Sequence, residues 1–170
     1  MKKFIFSIIL LFSIQQIFLG TNLYAKTYDS YVSLPNSLIS KLDINKYNDG
    51  DTLNADINGQ NLKLVIAKDR ETIIRGLSWR EKIPFDGMIF FFDKLLKVSF
   101  WMKGMNFPLD IVWVRNNVIL EVTENVKPEP GVPEEKLKTY SSSGEVDIVI
   151  ELSAGRAKEL KIKEGNILIL

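Results

Sequence analysis

Leu53-Asn54-Ala55-Asp56-Ile57-Asn58-Gly59-Gln60-Asn61-Leu62-Lys63-Leu64-Val65-Ile66 is the stretch on which the fold turns. Leu53, Ala55 and Ile57 alternate with polar residues, and Leu62, Leu64 and Ile66 resume the alternation. Successive side chains in a strand point to opposite sides, so each run carries one apolar face. Between the runs, Asn58-Gly59 supplies two residues that tolerate the positive φ angles of a tight two-residue turn. The stretch predicts a β-hairpin.

Downstream, Asp69 stands where it can cap a short helix over Arg70–Arg75. Ile73, Ile74 and Leu77 would form its buried side, with Gly76 near its end. Gly87-Met88-Ile89-Phe90-Phe91-Phe92 is a short apolar run, most simply a strand buried on both faces, and Val98–Met102 is another strand. Asp110–Val114 and Val118–Val122 flank Asn116-Asn117, a second hairpin signal. Residues 125–139 hold Pro128, Pro130, Gly131 and Pro133 among charges, and a loop of that length in a small domain is disordered or functional. Val146, Ile148, Ile150 and Leu152 alternate as a strand. Ser153 can cap a helix over Ala154–Leu160, and Ile167–Leu170 makes a last strand after the Lys163–Asn166 turn. With about eight strands and two short helices, the expectation is a strand-dominated α+β domain. It is a mainly antiparallel, partly closed β-barrel, because closure hides strand edges.

Upstream, Lys2 and Lys3 precede an apolar run through Phe12 that continues more weakly to Leu19. Gln15-Gln16 interrupts it, and Leu23-Tyr24-Ala25 supplies a small residue for cleavage. This is the tripartite pattern of a secretory signal over residues 1–25, too short and polar for a comfortable membrane span; the alternative is a segment retained as an uncleaved anchor. Residues 26–50 are polar and irregular, a linker or loosely docked arm, and 51–170 form a single β-rich domain. The expected location is periplasmic or secreted, within the cell envelope, with no membrane association once the signal is removed.

Residues 1–25 carry two lysines and no acid, so the net charge of +1 becomes −1 on their removal. A near-neutral domain offers no electrostatic case for nucleic acid. Cysteine and histidine are both absent. Disulfides, Ser-His-Asp and Cys-His machinery and the usual zinc sites are therefore excluded, and no cofactor or metal is expected. Met88, Met102 and Met105 stand near Trp101, but methionine at such spacing reads as core packing rather than a thioether metal site.

Several blocks resemble the domain of unknown function 192 family, in order and over about 100 residues. Arg75-Gly76-Leu77-Ser78-Trp79-Arg80 is similar to its Arg-Gly-Leu-Met-x-Arg segment, and Gly87-Met88-Ile89-Phe90 to its Gly-Met-Leu-Phe strand. Phe100-Trp101-Met102-Lys103 followed by Pro108-Leu109-Asp110-Ile111 is the most specific block, and Ile150-Glu151-Leu152-Ser153-Ala154-Gly155 resembles its Leu-Glu-x-x-x-Gly turn. Gly104-Met105 replaces the family's Asn-Thr after Trp-Met-Lys, and Gly165-Asn166 its late Gly-Asp. The resemblance implies an exported single domain, and the late turn is similar to one in cradle-loop barrels.

The residues offer two functional readings. In the first, Trp101 and Lys103 share a strand face beside the turn at Gly104, with Trp79, Arg75 and Arg80 nearby and the 125–139 loop as a rim. An aromatic plate beside cations suits a small anionic or carbohydrate-like ligand, or an envelope polymer. Arg75 and Arg80 can alternatively pair with Asp110 or Glu151 and brace the fold. In the second, a histidine-free hydrolase or lyase uses Asp110, Glu151 or Lys103 as its acid or base. A third possibility, a subunit docking through its Phe-rich strand, predicts an oligomer; the sequence itself specifies no oligomeric state.

Overall fold

The computed structural model describes residues 42–170, so the expected signal, residues 1–25, and most of the 26–50 arm lie outside the described residues. Among the described residues the chain forms nine strands and two short α-helices. In order these are β1 (Thr52–Ile57), β2 (Gln60–Ala67), α1 (Arg70–Arg75), β3 (Gly87–Leu96), β4 (Ser99–Trp101), β5 (Leu109–Arg115), β6 (Val118–Val126), β7 (Thr139–Ser141), β8 (Val146–Ser153), α2 (Arg156–Glu159) and β9 (Leu168–Ile169). The first hairpin forms in the expected register, Leu53 opposite Leu64 and Ala55 opposite Leu62, with Asn58 and Gly59 at φ +59° and +74°. Asn116 and Asn117 make the second turn in the same left-handed region.

Seven strands make one mixed sheet in the order β6-β5-β8-β3-β2-β1-β9, and β4 pairs with β7 in a separate two-stranded ribbon. Neighbours are antiparallel except β2 and β3, which α1 connects as a crossover. The sheet curls into a half-barrel whose outer edges meet. The N–H of Ile119 donates to the Asn166 carbonyl at 2.9 Å, and that of Leu168 to the Asn117 carbonyl at 2.8 Å. Strand-dominated, mostly antiparallel and partly closed, the architecture is the one expected. The ninth strand, β7, emerges from the end of the Pro-rich loop, where no alternation announces it.

Two apolar clusters cover the two faces of the sheet. The inner one gathers Leu53, Ala55, Ile57, Leu62, Leu64 and Ile66 with Ile89, Val112, Ile150 and Leu152, and α2 closes it with Ala157 and Leu160. Leu42, Ile44 and Tyr47 from the end of the arm pack against it. The outer cluster holds Val65, Met88, Phe90, Ile111, Trp113 and Val149 under Leu77, Met102 and Met105. Central strands are thus buried on both faces, as a continuous apolar run requires. In β3 this holds for Met88, Ile89 and Phe90, while Phe91 and Phe92 are half-buried.

Four local expectations need correction. Asp69 occupies the N-cap position of α1, but its carboxylate accepts no capping bond; Asp49 instead accepts the N–H groups of Lys68 (2.9 Å) and Asp69 (3.2 Å). Ile74 is 61% exposed, because the helix stops at Arg75 and the stripe that would carry Ile74 inward never completes. Val98–Met102 shortens to β4 and joins the ribbon, not the main sheet. Ser153 ends β8 rather than capping the last helix, which starts at Arg156 after Gly155.

Candidate functional site

Strand alternation in β4 sets the site. Phe100 points inward, edge-on to Phe90 (centroids 5.1 Å) and Trp113 (5.7 Å), and pins the ribbon to the sheet. Met102 is also inward and buried. Trp101 faces the other way and is 36% exposed, so it is not the core indole; that role belongs to Trp113, which donates its Nε1–H to Thr123 Oγ1 at 2.9 Å. Lys103 shares the Trp101 side, its Nζ 5.3 Å from the ring centroid. The same ammonium pairs at 2.6 Å with Glu134 Oε2, from the one-turn helical segment Glu134–Lys136 of the Pro-rich loop. The loop therefore reaches this site through Lys103.

After Lys103 the chain turns at Gly104, φ +65°. Three hydrogen bonds tie this turn to the segment following α1. Trp79 N–H donates to the Gly104 carbonyl (2.7 Å), Ser78 Oγ to that of Lys103 (2.7 Å), and Asn106 Nδ2 to that of Arg80 (2.9 Å). The Trp79 indole lies directly on the bare backbone of Gly104, and a Cβ there would come within 2.6 Å of the ring. Trp79 itself sits at φ +64° and is 73% exposed. A bulky residue in the left-handed region costs roughly 1–2 kcal/mol, which these bonds offset. Asparagine and glycine both adopt that region, so Gly104 fills a turn-forming place where the resembling sequences carry Asn. Met105 packs inward.

Trp79, Trp101 and Lys103 are thus brought to one stretch of surface. Arg75 and Arg80 are exposed, and among the described residues neither forms an ion pair. The bracing role considered for them, through Asp110 or Glu151, is not what the structure shows. Sequence reading missed Phe85, 60% exposed at φ +47° with Lys63 Nζ 4.3 Å from its ring centroid, on the same connection between α1 and β3. An aromatic in a non-periodic stretch after Pro84 was the available signal.

The two acidic candidates face opposite sides of the sheet. Asp110 lies opposite Leu152, on the inner face, whereas Glu151 lies opposite Met88 and Ile111, on the outer face. They do not make a carboxylate pair. Asp110 is fully buried, and both its oxygens accept backbone N–H groups, Oδ1 from Asn125 and Oδ2 from Ala157, each at 2.9 Å. It caps α2 from a neighbouring strand, the work expected of Ser153. Asp110→Ala leaves two N–H groups without an acceptor and is expected to lower stability by roughly 3–5 kcal/mol in urea unfolding. Asp110→Asn, which keeps one acceptor, should lose about half of that.

Glu151 is 5% exposed, and its Oε2 has no hydrogen-bond partner among the described residues. Burial pushes its carboxyl up to about 8, so it is mainly protonated at neutral pH. Elsewhere, a groove of about 540 Å³ lined by Asn58, Gln60, Arg156, Lys161, Lys163 and Asn166 contains none of the expected site residues.

A curled half-barrel with an outer ribbon, and an indole laid on the turn after a Trp-Met-Lys strand, define the scaffold of the described residues. The family model for DUF192, the uncharacterized ACR family, matches residues 53–170. The chain belongs to that family. A crystal structure from Sinorhizobium meliloti 1021, described as that of a candidate transcription regulator, is 26% identical with a TM-score of 0.62, covering 72% of this chain and 95% of that one. A protein of unknown function from Novosphingobium aromaticivorans DSM 12444 is 23% identical with a TM-score of 0.61, covering 70% and 85%, and shares the fold. No curated protein matches the chain.

Proposed function

We propose that the protein is an exported binding module of the cell envelope, taking a small anionic or carbohydrate-like ligand on the surface built from Trp79, Trp101, Lys103, Arg75 and Arg80. One observation carries the reading: Trp79 is held at a strained φ of +64°, stacked on Gly104, with 73% of its surface open. Strain kept at an exposed aromatic fits a residue positioned for a ligand. An indole offers a flat apolar face to sugar C–H groups, and Arg75 and Arg80, near it in sequence, exposed and without an ion pair among the described residues, supply cations for a carboxylate. Trp79 is the better platform of the two tryptophans, because Trp101 is only half as exposed. Lys103 in turn is engaged by Glu134, so an anion there has to compete with an internal carboxylate.

The test is a thermal-shift screen against acidic and neutral sugars and small carboxylates, followed by titration of each hit. Trp79→Ala and Arg80→Ala are expected to weaken a true ligand by at least about tenfold, with Trp101→Ala and Lys103→Ala having smaller effects. Gly104→Ala, which drives the ring off its seat, should behave like Trp79→Ala. If every hit binds these variants as tightly as the native chain, the surface is architecture and the reading fails.

A further inference from the structure

We propose that the ligand is a linear acidic polysaccharide, held at two aromatic–cation stations along the α1–β3 connection; this rests on the reading above. Trp79 is one station and Phe85 the other. Both are large aromatics, both mostly exposed, and both sit in the left-handed region that such residues avoid. Each has cations beside it: Arg75 and Arg80 flank Trp79 in sequence, and Lys63 Nζ stands 4.3 Å from the centre of the Phe85 ring while leaving 60% of the residue open. The two aromatics stand six positions apart in the chain, a reach of at most roughly 20 Å. Two like stations on one short connection suit a ligand that repeats itself.

The charge of the segment points to the class of polymer. Residues 75–85 carry Arg75, Arg80 and Lys82 against Glu81 alone. All three cations are exposed and without an ion pair among the described residues. Asp86, the next acid along, already accepts the Lys63 N–H at 2.9 Å and lies 3.9 Å from Arg156. A chain bearing a carboxylate on each sugar meets the cations, while its C–H faces meet the rings. Linking two stations makes the second contact intramolecular, so affinity should climb with ligand length well beyond that of one unit.

Galacturonate and its oligomers up to the hexamer, with neutral malto-oligomers of matching length, are titrated into the full chain. The hexamer is expected to bind at least about tenfold tighter than the monomer, and the neutral series at least about tenfold weaker than the acidic. Phe85→Ala and Lys63→Gln should flatten the length dependence, bringing hexamer affinity down toward that of the monomer; both side chains lie at the surface. Trp79→Ala should weaken the monomer and weaken the hexamer at least as much, since the linked second contact goes with it. A length dependence that survives Phe85→Ala overturns the second station and leaves the Trp79 reading standing. Equal binding of neutral oligomers overturns the acidic class. Acidic oligomers that bind Trp79→Ala as tightly as the native chain overturn the two-station site and the Trp79 reading together.

Discussion

Alanine at position 87 is expected to cost at least about 4 kcal/mol and to leave little folded protein. Gly87 opens β3, opposite Leu64 of β2 on one side and Leu152 of β8 on the other. A Cβ there would lie 2.1 Å from the carbonyl oxygen of Glu151 and 3.1 Å from Leu152 Cδ2. The first of these is backbone, in a strand hydrogen-bonded on both sides, so it cannot swing away as a side-chain tip can. Relief means separating β3 from β8 where the sheet is buried on both faces. Against a total stability of about 5–15 kcal/mol, that loss is a large fraction. Urea unfolding and soluble yield give the measure. Gly131 supplies the control: nothing lies within 4 Å of a Cβ built there, and alanine should cost about 1–2 kcal/mol from backbone strain alone. Equal losses at the two positions would mean that the close approach of β3 and β8 is not what selects glycine.

The same close approach marks what the sequence makes legible and what it does not. Gly87 reads only as the first residue of an apolar run; the carbonyl it must clear lies 64 positions later, at Glu151. The hairpin at Asn58-Gly59 is visible because its information is local: a period of two and a turn that needs positive φ. β7 is invisible because it is three residues long and pairs with β4 across the Pro-rich loop. At the site, alternation alone places Trp101 and Lys103 on one side and Met102 on the other, and the structure agrees. It gives no hint that Lys103 is held by Glu134, or that Trp79 lies on Gly104, because both contacts join segments about 25–30 residues apart. Asp110 shows the limit most sharply. A lone acid in an apolar strand looks like chemistry, yet its two oxygens serve the backbone of Asn125 and Ala157. Which of two buried acids is fully bonded and which is left with an orphan oxygen is decided by the face each strand turns to its neighbour.

That orphan oxygen sets the second large effect, a fall in stability as pH rises from about 4.5 to 8. The unfolded chain releases the Glu151 proton near 4.5, while the folded chain holds it to about 8. Between those values the folded state binds more protons than the unfolded state, so raising the pH favours unfolding. Below 4.5 the group is neutral in both states, and above 8 it is charged in both, so its slope vanishes at either end. Across the whole window the loss is roughly 5 kcal/mol. The chain has no histidine, so the usual source of pH dependence in this range is missing and the slope belongs largely to one carboxyl. Glu151→Gln keeps the shape of the protonated acid and removes its titration. It is expected to match the native chain within about 1 kcal/mol at pH 5 and to exceed it by roughly 3–4 kcal/mol at pH 8, read from urea midpoints across the series. A native curve as flat as that of the glutamine variant would mean that Glu151 is already ionised inside the fold. A donor or cation would then have to face Oε2 on the outer side of β8, between Met88 and Ile111. A slope that disappears with the substitution places a neutral acid there instead, able to donate a hydrogen bond at pH 7 from within the outer face of the sheet.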